Sequence, residues 1–78
     1  MLNYKECDIK DFEKAMELKN TDIKTISTEH LYILYTKFKA DAYTCYYQGG
    51  SYANNIGDRS NKKAEAYKIE LNNRGIEI

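Results

Sequence analysis

Between Ser27 and Gln48, apolar and aromatic residues fall around most of a helical circumference. Leu31, Leu34, Tyr35, Phe38, Ala42, Cys45 and Tyr46 sit at offsets of 3, 4, 7, 11, 14 and 15, which is one stripe of an α-helix. Tyr32, Ala40, Tyr43 and Tyr47, with Ile33 at the margin, form a second band on a different side. Only Lys37, Asp41, Thr44 and Gln48 make a clearly polar strip. Such a helix has two faces to cover, and a chain of 78 residues has little with which to cover both.

The flanking pattern predicts two more helices. Asp8 to Lys19 reads as a short amphipathic helix, with Asp8 as N-cap and Ile9, Phe12 and Met16 on one side. Asn20 to Ile26 is a connector in which Thr21 or Asp22 caps a brief turn and Ile23 and Ile26 anchor it. Ser27 is the expected N-cap of the central helix, and Glu29 places a carboxylate at the positive end of its dipole. Gly49-Gly50 ends that helix, since glycine accepts a left-handed cap without steric cost.

Ser51 is read as the cap of a third helix running to Arg74, with Tyr52, Ala53, Ile56, Ser60, Ala64, Tyr67 and Leu71 along one stripe. Gly57 inside it costs about 1 kcal/mol relative to alanine and weakens its first turns. Gly75 closes it, and Ile76 and Ile78 are expected to fold back over its end. A rival arrangement pairs Leu2–Tyr4 with Ile76–Ile78 as a two-stranded ribbon. The fold class predicted is all-α, a single domain over residues 1–78 with helices at 8–19, 27–48 and 51–74. The glycine turn makes the two long helices antiparallel neighbours, an αα-hairpin whose arms span roughly 33 to 36 Å.

Composition narrows the function. Twelve basic and twelve acidic residues cancel, so the surplus of cations that drives nonspecific nucleic-acid binding is missing. A charged fraction of 31% beside 42% hydrophobic residues fits a globular domain rather than a disordered tail. No apolar run approaches the roughly 20 residues that span a bilayer, and the N-terminus MLNYKECDIKDFEK is too charged for a secretory signal. Cys7 and Cys45 lack both metal-type pairing and the density of a disulfide scaffold, which points to a reducing cytoplasm.

Tyrosine buries a large ring at low entropic cost while its hydroxyl keeps a polar partner, so Tyr32, Tyr43 and Tyr47 are the leading interface candidates. The alternative is that the short first helix covers them as core. Asn54 and Asn61 lie on a polar strip of the third helix, either as a hydrogen-bonding surface or as a solvated face. Arg59, Lys62 and Lys63 could grip phosphates, but Asp58 and Glu65 sit among them. His30 stands alone, and zinc held by Cys7, His30 and Cys45 would lack the four closely spaced ligands of structural sites. No Walker-type loop, nucleophile triad or paired carboxylates stand out, so no catalytic residue, metal or cofactor is expected.

The C-terminal run YANNIGDRSNKKAEAYKIELNNRGIEI resembles the tails of small helical accessory proteins of tailed phages and mobile elements. Their "AExxKxEL…R" cadence is matched by Ala64-Glu65, Lys68, Glu70-Leu71 and Arg74. The resemblance implies an accessory protein of a mobile element, a class that includes inhibitors of host defence enzymes such as anti-CRISPR proteins, acting in the host cytoplasm. The expected function is non-catalytic protein binding, with a host defence nuclease complex as one implied partner. The alternatives are a small DNA-binding regulator using Arg59, Lys62 and Lys63, and a homodimer formed through the tyrosine band.

Overall fold

The computed structural model describes residues 1–78. It contains three helices, α1 (Ile9–Leu18), α2 (Thr28–Gln48) and α3 (Ser51–Asn73), with a single 3-10 turn at Ile23–Thr25 before α2. The two long helices pack closely against each other as the antiparallel hairpin that the pattern predicts, and α1 lies against the first part of α2. No strand forms.

Each boundary has a local cause. Ser27 takes extended backbone angles and its Oγ accepts the His30 N–H at 3.3 Å, capping α2. Asp22 caps the 3-10 turn by accepting the Lys24 N–H at 3.1 Å. Asp8 occupies the N-cap position of α1, but its side chain makes no cap bond. The cap of α3 is Gly50 rather than Ser51, which is already the first helical residue. Gly49 and Gly50 both sit at positive φ, 76° and 85°, a pair of conformations that reverses the chain within two residues and that a side chain would strain. At the far end the Gly75 and Ile76 N–H groups bond back to Asn72 and Leu71, both at 3.0 Å, in a Schellman closure. Ile76 then packs against the core, as expected of a residue at that cap.

The terminal ribbon does not exist because its backbone groups are engaged elsewhere. Asn3 folds the N-terminus into a turn, its Oδ1 accepting the Lys5 and Glu6 N–H groups at 2.9 and 3.0 Å. The Tyr4 N–H donates to Thr36 Oγ1 at 3.1 Å, tying this turn to α2. The Ile76 N–H is committed to the helix closure.

The core is Ala15, Ile26, Leu31, Ile33, Leu34, Phe38, Ala64, Tyr67 and Leu71, so every helix contributes to it. Tyr67 stacks on Phe38 with ring centroids 5.9 Å apart, and its hydroxyl donates to the Lys19 carbonyl at the end of α1. Ile9, Tyr46, Tyr52, Ile56 and Ile78 depart from their predicted places, all five being exposed. Ile9 is 73% exposed, because α1 docks through Phe12, Ala15 and Met16 and its first residue overhangs the contact. Tyr52 and Ile56, expected on the buried stripe of α3, are both exposed. The contact with α2 runs instead through the buried Gly57, where a Cβ would lie 3.1 Å from Cys45 Cβ and 3.0 Å from the Tyr46 ring. Far from fraying α3, the glycine lets it approach α2.

Burial raises the Tyr67 phenol above its ordinary pKa of 10.0. A raised pKa means that the folded state holds its proton longer than the unfolded chain does. The contribution is present below pH 10 and is lost as the pH climbs through the shifted value. Stability is therefore expected to fall in the alkaline range above about pH 10. Tyr67→Phe should show a shallower loss in thermal melts between about pH 9 and 12. An unchanged slope would mean that Tyr67 is not a source of the alkaline sensitivity.

Candidate functional site

The helix α1 has 10 residues against 21 in α2, so it reaches only part way along its neighbour. Where α1 and the N-terminal turn lie, the second band of α2 is covered: Ile33 is buried, and Tyr32 is half-buried against the core. Tyr4 stands beside Thr36, and there the cover ends. Further along, Tyr43 is 75% exposed and Tyr47 is 87% exposed. The three tyrosines therefore divide, Tyr32 with the packed half of α2 and Tyr43 and Tyr47 on the open half. At the edge of the cover lies a groove of about 440 Å³, lined by Tyr4, Tyr35, Thr36, Ala40, Tyr43 and Thr44 together with the stems of Lys5 and Lys39.

One flank of this open stretch is cross-linked to α3. Tyr46 donates its hydroxyl to Asp58 Oδ1 at 2.6 Å. That hydrogen bond, then desolvation and the Asp58 charge, raise the Tyr46 phenol above its ordinary pKa. Lys39 Nζ donates to Asn61 Oδ1 at 3.2 Å and lies 3.7 Å from Glu65. Asn54, Asp58 and Asn61 stand at i, i+4 and i+7, so the two asparagines share the side of α3 that adjoins Tyr46 and Lys39. Tyr52 and Ile56 fall on another side of α3, with Lys63, whose Nζ lies 5.1 Å from the Phe38 ring. Arg59, Lys62 and Lys63 are all exposed, and none of them lines a groove.

Compared with protein-family models, curated proteins and solved structures, the chain matches none.

The open end also carries a compositional signal of its own. From Tyr43 to Gly57 the chain reads YTCYYQGGSYANNIG and carries no charged residue, although charged residues make up 31% of the whole. Tyr, Ser, Gly and Asn are the residues that dominate antibody combining sites, where rigid rings supply area and small polar groups supply adaptable hydrogen bonds. The gap in charge spans the last turns of α2, the glycine reversal and the start of α3.

The fold also gathers a cluster that no spacing could announce. Ser27 Oγ lies 2.8 Å from His30 Nδ1, and His30 Nε2 lies 3.8 Å from Asp11 Oδ1. A hydroxyl, an imidazole and a carboxylate in series suggest a nucleophile triad. The geometry instead makes a helix cap: Ser27 Oγ already accepts the His30 backbone N–H, and 3.8 Å is too long for a hydrogen bond. His30 thereby completes the cap at the start of α2 and stands beside Asp11 of α1 without a hydrogen bond to it. Cys7 lines a second groove together with Asp11, Ser27 and His30, whereas Cys45 lies against Gly57 near the other end of α2, so Cys7, His30 and Cys45 do not converge.

Proposed function

We propose that this chain is a non-catalytic protein-binding module that engages its partner through the open half of α2. One observation carries the reading: Tyr43 and Tyr47 stand one helical turn apart on the stretch that α1 does not reach, with most of both rings in solvent. Tyrosine is enriched among the residues that dominate interface energies, and its ring loses little rotamer freedom on burial. Asn54 and Asn61 on the adjoining flank of α3 supply polar groups for the rim. Because no charge lies between Tyr43 and Gly57, the partner surface is matched by shape and hydrogen bonding rather than by ion pairing.

Affinity capture from an extract of the source organism tests this. Tyr43→Ser with Tyr47→Ser should weaken retention of the partner at least about thirtyfold, the effect of losing about 2 kcal/mol of hot-spot energy. Tyr52→Ser, on another side of the hairpin, should leave it unchanged. Binding should also vary little with salt, whereas a protein contacting 6–10 phosphates loses about 10³ to 10⁵ in affinity between 50 and 200 mM. Retention indifferent to the double substitution would overturn the assignment of the surface. A steep salt response abolished by neutralising Arg59, Lys62 and Lys63 would replace it with the nucleic-acid reading.

A further inference from the structure

We draw no further inference here: the strongest candidate, the uncharged stripe of Ala40, Tyr43, Thr44 and Tyr47 on the open half of α2, carries nothing beyond the protein-binding reading, because nothing in the structure shows what covers it.

Discussion

Leu34→Ala is expected to remove about 2.7–5.0 kcal/mol of stability, the largest loss from any single truncation in this chain. Leu34 is fully buried at the centre of α2 and belongs to the one cluster that all three helices share. Truncating a buried leucine costs about 2.7–5.0 kcal/mol, part transfer free energy and part cavity, and a helix hairpin this small has few second contacts with which to collapse around the void. At about 0.05–0.15 kcal/mol per residue, 78 residues hold roughly 4–12 kcal/mol in total. One side chain thus accounts for about a quarter of the whole or more. Urea unfolding followed by circular dichroism would measure it, with Leu34→Met as the volume-conserving control at a cost below about 1.5 kcal/mol. A loss under about 1 kcal/mol for alanine would show that the core does not pivot on Leu34.

That core was readable in advance because periodicity reports which residues share a face. Leu31, Leu34, Phe38 and Ala42 lie on the predicted stripe of α2 and are buried, as are Ala64, Tyr67 and Leu71 on α3. Periodicity does not say where a partner helix stops. Ile9 and Tyr52 lie at helix beginnings and face solvent, since the contact with α2 takes up only part of each predicted stripe. Gly57 marks the other limit. Its intrinsic helix propensity argues against a continuous α3, yet α3 runs through it against α2, where a Cβ would sit 3.0–3.1 Å from Tyr46 and Cys45 and press them back by a few tenths of an ångström.

The candidate surface was half legible. Two greasy faces on one helix announce that something must cover them, and the length of α1 against α2 shows that one chain covers only part. Which tyrosines remain outside depended on the N-terminal turn, pinned to α2 by the Tyr4 N–H on Thr36. Nothing in residues 1–7 marks that contact, because it is a side-chain acceptor meeting a backbone donor 32 positions away. The approach of Asp11 to the Ser27–His30 cap was hidden for a similar reason. Asp11 comes from another helix, and only tertiary packing brings it within 3.8 Å of the imidazole.

Arg74→Ala should cost about 2–4 kcal/mol, the second-largest effect expected of a single substitution here. In the sequence Arg74 is one more cation at a helix end, where it complements the negative pole of the α3 dipole. In the fold it is a clasp. Nε donates to Glu70 at 2.9 Å, and Nη1 donates to the Ile26 carbonyl at 2.7 Å and to Thr28 Oγ1 at 3.2 Å. Nη2 reaches the Ile23 and Lys24 carbonyls at 3.3 and 3.2 Å. The 3-10 turn leaves the Lys24 and Ile26 carbonyls without helical partners, and one planar guanidinium serves both from the end of α3 while sharing the Ile23 carbonyl with the Ile26 N–H. With 22% of the side chain accessible, solvent screens part of the charge, which holds the cost below that of a fully buried ion pair. Arg74→Lys should recover less than half, since a single ammonium cannot span carbonyls on two sides. Hydrogen exchange supplies the specific readout: the Thr25 and Ile26 amides, bonded to Asp22 and Ile23, should lose protection before the α2–α3 core does. A loss under about 0.5 kcal/mol with those amides still protected would mean that Ile23 and Ile26 hold the turn by packing alone.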